Sequence, residues 1–291
     1  MEVPLVVGVD GSEPSLRAVD WAADEAALRD LPLRLVYASL WERYEGTALA
    51  DDPVKPSDQL MAEDIVETAA RRVRTRRPDV KVTTDVLPEE PEYALVRESR
   101  GAAAVVLGSR GRSSLAEALL GSVSVTVAGH AHCPVIVLRG SHDNRAIPGR
   151  HGRIVVGVGD EPADAAAVRF AVEEARLRGV PLEAVRAWRC PAHETAGHPL
   201  PAGEPARLHE EKAAEVLGAA LRDVPAAGVE AHRRTAEGHA RQVLLGASAD
   251  AGLLVVGARR REGHYGLQLG RVAHAVLHHA VCPVAVVPHR E

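Results

Sequence analysis

The sequence predicts two α/β domains in series, each built on a parallel sheet, and three observations carry that expectation. Short apolar runs recur along the chain and alternate with longer segments of helical periodicity. These runs, such as VVLG at Val105 to Gly108, do not alternate polar with apolar residues, as expected of strands covered on both faces. Third, the chain is one unit written twice. A shift of 149 positions places Gly8 on Gly157, Trp21 on Phe170, Glu25 on Glu174, Gly108 on Gly257, Gly121 on Gly270 and Cys133-Pro134 on Cys282-Pro283. Internal duplication is the economical reading, and 291 residues suffice for two domains that each bury a core.

In chain order, Pro4 to Val9 reads as a first strand and Glu13 to Arg29 as a helix, with Trp21, Ala22, Glu25 and Ala26 at helical spacing. Leu33 to Ser39 gives a second strand. Trp41 to Pro56 is polar and irregular, and Ser57 to Arg77 reads as a helix ending before Pro78. Its basic run, Arg71, Arg72, Arg74, Arg76 and Arg77, sits at the carboxyl end, where the helix dipole favours cations, and reads as a solvated face. Lys81 to Val86 is a third strand, Glu92 to Arg100 a helix, Ala103 to Leu107 a fourth strand, Ser113 to His130 the last helix and Val135 to Leu138 the fifth strand. The second half repeats this, with strands near Ile154, Leu182, Val229, Leu253 and Val284. GSHDNRAIPGRHG, at Gly140 to Gly152, has the composition of a linker. The expected division is a first domain at 1–140, a linker at 141–152 and a second domain at 153–291.

The segment from Val105 to Leu138 carries the chemistry. A strand ending in glycine, a Gly-rich turn and a helix capped by Ser113 or Ser114 make an anion site, because backbone N–H groups converge at a helix N-terminus and its dipole favours negative charge. Gly108, two residues, Gly111, nine residues and then Gly121-Ser122 resemble the GxxGx9G[ST] nucleotide motif of the universal stress protein family. The opening VVGVDGS at Val6 to Ser12 and the closing CPVIVL at Cys133 to Leu138 resemble that family's ends. The resemblance implies two tandem Rossmann-like or flavodoxin-like domains, each a five-stranded parallel sheet of order 3-2-1-4-5 with helices on both faces. It also implies ATP as ligand, with magnesium held mainly by the nucleotide's own oxygens.

In such a sheet, ligands lie beyond the carboxyl ends of the strands where the winding reverses, so the segments after the first and fourth strands should share one crevice. By resemblance the binding set is Gly8, Val9, Asp10, Ala38, Gly108, Ser109, Arg110, Gly111, Arg112, Gly121, Ser122, Val123 and Ser124. Asp10 would contact the adenosine, or else serve as a turn and helix-capping residue, since DGSEPS is capping chemistry in its own right. Ala38 would border the base. Ser122 and Ser124 would donate to phosphate oxygens or lie on the helix surface, and Arg110 and Arg112 would neutralise the phosphates or sit in a solvated loop.

The second copy departs from the motif. Gly159 stands at the position of Asp10, Arg260 at that of Gly111 and Arg271 at that of Ser122, so its site reads as degenerate. Asp160 could replace the lost carboxylate, and Arg259, Arg260, Arg261 and Arg271 leave a purely anionic site open.

Other classes are argued against. A net charge of −5 with 3% aromatic residues suits neither nucleic acid nor an anionic membrane. Three cysteines fit a reducing cytoplasm rather than a disulfide framework, and neither a signal peptide nor an apolar span is visible. His130, His132 and Cys133, echoed by His278, His279 and Cys282, raise a metal reading, but each set straddles a helix end and a buried strand, which favours structure. No P-loop, HExxH or GxSxG is present, and neither catalytic residues nor metal ligands are assigned.

The functional expectation is a cytoplasmic, ATP-binding, nucleotide-dependent stress-response regulator without efficient turnover. The alternatives are a nucleotide-independent interaction and dimerisation module, or a slow ATPase. The apolar last strands, Val135 to Leu138 and Val284 to Val287, would otherwise leave unpaired edges. They are expected to pair within the chain as a pseudo-dimer, with homodimerisation open.

Overall fold

Short β-branched runs flanked by glycine and proline form the strands of both halves. The computed structural model describes residues 3–40, 57–109, 120–139, 152–159, 162–190, 204–222, 224, 228–258 and 269–289. The chain divides into two units, Met1–Asn144 and Arg145–Glu291. The expected linker falls almost wholly outside the described residues, as do the segment 41–56 and the stretch 110–119.

The first unit runs β1 (Leu5–Gly8), α1 (Glu13–Arg29), β2 (Leu33–Ala38), α2 (Ser57–Arg76), β3 (Val82–Leu87), α3 (Pro91–Glu98), β4 (Ala104–Gly108), α4 (Ser122–His130) and β5 (Val135–Leu138). β1 pairs in parallel with β2 and β4, β2 with β3, and β4 with β5, giving the order 3-2-1-4-5. Right-handed crossovers put α1 and α2 on one face and α3 and α4 on the other. The central strands are apolar throughout because both faces are covered: Leu5, Leu33, Leu35 and Ile136 are buried, and Trp21 from α1 is 1% exposed.

α1 starts where its sequence says it should. Ser12 is the N-cap, its hydroxyl accepting from the Ser15 amide, and Pro14 occupies the first turn. The helix ends at Asp30 in the left-handed region, φ 52°, and the duplicated position in the second unit is Gly179, φ 62°. Glu25 is 1% exposed and its carboxylate accepts from Arg29 at 2.5 Å; Glu174, also 1% exposed, does the same with Arg178 at 2.9 Å. The duplicated glutamate is therefore a buried half of an i,i+4 pair in each copy.

The basic end of α2 is not simply a solvated face. Arg72 binds both carboxylate oxygens of Asp20, and Arg76 and Arg77 converge on Asp24, which is 4% exposed. These bonds clamp α2 to α1, an arrangement that side chains over fifty positions apart do not disclose in sequence. The expected last helix also differs: it begins at Ser122, after an extended Gly121, rather than at Ser113.

The second unit runs β6 (Ile154–Gly157), α5 (Pro162–Arg178), β7 (Leu182–Trp188), α6 (Glu204–Ala220), β8 (Ala231–Glu237), α7 (Ala240–Ser248), β9 (Leu253–Ala258), α8 (Arg271–His279) and β10 (Val284–Pro288). β6 pairs with β7 and β9, β7 with β8, and β9 with β10, all parallel, so the same order recurs.

Candidate functional site

The point where the winding reverses in the first unit lies between β1 and β4, which pair through Leu5, Val6 and Val7 against Ala104, Val105 and Val106. At the carboxyl end of β1, the segment Asp10 to Ser15 closes on itself. Asp10 Oδ1 accepts from the Ser12 amide at 3.0 Å and from the Ser12 hydroxyl at 2.6 Å, while the Ser15 hydroxyl donates to the Ser12 carbonyl at 2.9 Å. Gly11 supplies the positive φ, 78°, that this turn requires. Asp10 thus performs the turn role, presenting a carboxylate held in place at the strand end.

At the end of β4, Gly108 is packed against the start of α1. A Cβ there would lie 2.7 Å from the Pro14 carbonyl and 2.9 Å from the Ser15 nitrogen, so its absence lets the first turn of α1 rest on β4. The close approach is to the protein's own backbone. The same contact brings the segments after β1 and β4 together, as the topology requires.

α4 is stitched to the end of β4 by two hydrogen bonds. The Gly121 amide donates to the Ser109 carbonyl at 2.9 Å, and the Ser124 hydroxyl donates to the Gly108 carbonyl at 2.8 Å. Ser109 and Gly121 are thus held together; Arg110, Gly111 and Arg112 lie outside the described residues, as do Ser113 and Ser114. Ser124, expected to face a phosphate, is buried with its hydrogen on a carbonyl. Ser122 is exposed on the first turn beside Val123, and no side chain caps the helix at Gly121. Those first-turn amides point past the end of β4, where an anion would complete them.

Glu92, at the start of α3, was not legible as part of this site. Its Oε1 accepts from the Ser122 hydroxyl at 3.3 Å, setting a carboxylate beside the helix N-terminus. No local motif marks such a contact between positions thirty residues apart. Gly8 and Ala38 are half-buried at the ends of β1 and β2, and the buried Val9 donates its amide to the Val36 carbonyl.

In the second unit the counterpart crevice is reshaped. Arg271 is exposed at the first position of α8, after Gly270, which has no side-chain cap. Ala273 occupies the position of Ser124, so the hydroxyl tether is missing. Gly159 is exposed where Asp10 would stand, and Asp160, Arg259, Arg260 and Arg261 lie outside the described residues.

The histidine–cysteine sets serve separate partners. His130 Nδ1 faces the Thr126 carbonyl at 2.8 Å, the Ser99 hydroxyl meets the His132 amide at 2.9 Å, and Cys133 Sγ lies against the Pro134 carbonyl. Burial pushes the Cys282 thiol up to about 12, which keeps it protonated at neutral pH. Among the described residues no group of three or more His, Cys, Asp or Glu side chains is placed to hold a metal ion, and no helix is long and apolar enough to cross a membrane.

The architecture is that of a duplicated, doubly wound α/β protein with a helix N-terminus at the switch point of its first sheet. A family model described as the Universal stress protein family matches residues 4–139 and again 151–288, and the chain belongs to that family. It is 34% identical over 306 residues to a universal stress protein of Mycobacterium tuberculosis, a match covering 97% of this chain and 96% of the relative. The crystal structure of a universal stress protein from Archaeoglobus fulgidus superposes with a TM-score of 0.67 at 18% identity, covering 99% of both chains, and shares the fold. Another universal stress protein from that organism, solved in complex with dAMP, covers 46% of this chain and is itself covered over 96%, at 26% identity and a TM-score of 0.36.

Proposed function

We propose that the first unit binds ATP in the crevice between the ends of β1 and β4, and that the protein acts in the cytoplasm as a nucleotide-dependent regulator of a stress response. The carrying observation is the junction of β4 with α4. Two hydrogen bonds, Gly121 to Ser109 and Ser124 to Gly108, fix an uncapped helix N-terminus beyond a parallel sheet at its point of reversal. Family membership supports the same reading.

In this reading the amides of Ser122 and Val123 and the Ser122 hydroxyl receive the phosphates. Asp10 and Ala38 border the adenosine, and Gly8, Val9, Ser109 and Gly121 form the backbone wall. Arg110, Gly111 and Arg112 complete the phosphate side. Magnesium would ride on the phosphate oxygens, since that cation keeps most of its waters and takes few protein ligands. In this reading bound nucleotide is held rather than efficiently consumed. The second unit, with Gly159, Arg260 and Arg271 in place of the motif, carries no equivalent ATP site.

Mass spectrometry of the denatured, freshly purified protein tests the ligand. ATP released in a stoichiometric amount supports the proposal. Protein free of nucleotide that also fails to bind added ATP would refute it and favour an interaction module.

A further inference from the structure

The second unit has a cavity of about 270 Å³ at the carboxyl end of β7, lined in part by Ala187, the counterpart of Ala38. Its walls come from β7 and the residue following it, with Arg186, Trp188 and Arg189, and from α6, with His209 and Lys212. Two arginines, a lysine and a histidine line it, and none of the described lining residues is acidic. We propose that this cavity is an anion site and that its ligand is a small phosphate-bearing molecule.

The placement of each cation supports that assignment. Arg186 is 9% exposed, and its Nη1 donates to the Val158 carbonyl at 3.4 Å, holding the guanidinium over the end of β6. A planar fork fixed in this way loses little freedom on meeting a phosphate. Arg189 Nη1 lies 3.2 Å from His239 Nε2, a ring nitrogen rather than a carboxylate. The acidic residues next to Lys212 on α6 have other partners: Glu210 accepts from the Thr235 hydroxyl, and Glu211 pairs with Arg207. Glu237 stands in register with Trp188 on β8 but is exposed and does not line the cavity.

The cluster is not inherited from the duplication. The matching strand end in the first unit, Tyr37-Ala38-Ser39-Leu40, has no cation. Volume narrows the ligand. At about 270 Å³ the cavity falls just below the range for drug-sized molecules, roughly 300 Å³ and upward, so it suits pyrophosphate or a small phosphate ester better than a whole nucleoside triphosphate. Trp188 in the wall provides a flat apolar surface for the organic part and a built-in optical reporter.

The test is titration of the full chain with inorganic pyrophosphate at low ionic strength, followed by tryptophan fluorescence and calorimetry. The expected result is saturable binding that changes Trp188 emission, with affinity at least about tenfold lower in the double variant Arg189→Gln, Lys212→Gln. Both residues are exposed, so that variant should keep its fold, which circular dichroism checks. The Trp188→Phe variant should lose the fluorescence change. Absence of saturable pyrophosphate binding, or binding of unchanged affinity in the double variant, would overturn the proposal. So would tight binding of citrate with none of pyrophosphate, which would make the ligand a polycarboxylate. Calorimetry also registers pyrophosphate at the phosphate side proposed for the first unit, so the readout that assigns binding to this cavity is the Trp188-dependent fluorescence change, absent in Trp188→Phe and weakened in the double variant.

Discussion

Gly108 packs the end of β4 against the first turn of α1. Its spacing marks the turn, but the space it leaves is filled by the backbone of Pro14 and Ser15. Gly108→Val should therefore destabilise the first unit, by about 1–3 kcal/mol or more from overpacking against a main chain that has little room to move. Urea denaturation measures this; a variant of wild-type stability would show that α1 yields at no cost. Glu92 sets the second expectation at this scale. Its carboxylate shares the Ser122 hydroxyl with any incoming phosphate, so Glu92→Gln should raise ATP affinity a fewfold, an effect of about 0.3–1 kcal/mol for one charge at a helix N-terminus. Calorimetry at two salt concentrations checks it, and the gain should shrink as salt rises. Among the cysteines, Cys190 is half-buried, whereas Cys133 and Cys282 are buried. With its thiol raised to about 12, Cys282 binds its proton more tightly folded than unfolded. Its contribution to stability therefore stays flat below the ordinary thiol range and falls as pH climbs from there toward 12. Native alkylation near pH 8 should label Cys190 first, as peptide mass spectrometry would reveal.

At the scale of elements, the boundaries of α1 were legible because Ser12, Pro14 and Arg29 each carry a local signal. The start of α4 was not. Ser113 and Ser114 have the chemistry of caps, whereas the helix starts after Gly121, which caps with no side chain and is instead held by a hydrogen bond to Ser109. Long-range contacts decided that boundary, and periodicity does not record them. The clamp between α1 and α2 was hidden for the same reason. Asp24, 4% exposed, receives Arg76 and Arg77, so removing it would take a carboxylate from two cations at once. Asp24→Ala should cost about 2–4 kcal/mol, toward the lower part of that span because Arg77 is partly accessible to water. Chemical denaturation of Asp24→Ala beside Asp20→Ala, whose Arg72 is also partly exposed, should show the larger loss at Asp24. Equal losses would mean that burial of Asp24 adds nothing.

Across the whole molecule, the repeat was readable because one offset served from end to end, and the same strand order in both units agrees with it. The divergence between the copies was only half readable. Sequence exposes Arg260 and Arg271 within the motif, but the loss of the Ser124 tether at Ala273, and the gathering of Arg186, Arg189 and Lys212 around one cavity, depend on which strand end and helix meet. The two copies thus keep one scaffold while their crevices take on different chemistry, and the central claim is that only the first retains ATP. Equilibrium dialysis with ATP and magnesium tests this directly, comparing the native chain with Gly159→Asp, Arg260→Gly, Arg271→Ser. About one ATP per native chain is expected, rising toward two in the variant; no ATP in the native chain, or two equivalent sites already present there, would contradict the account.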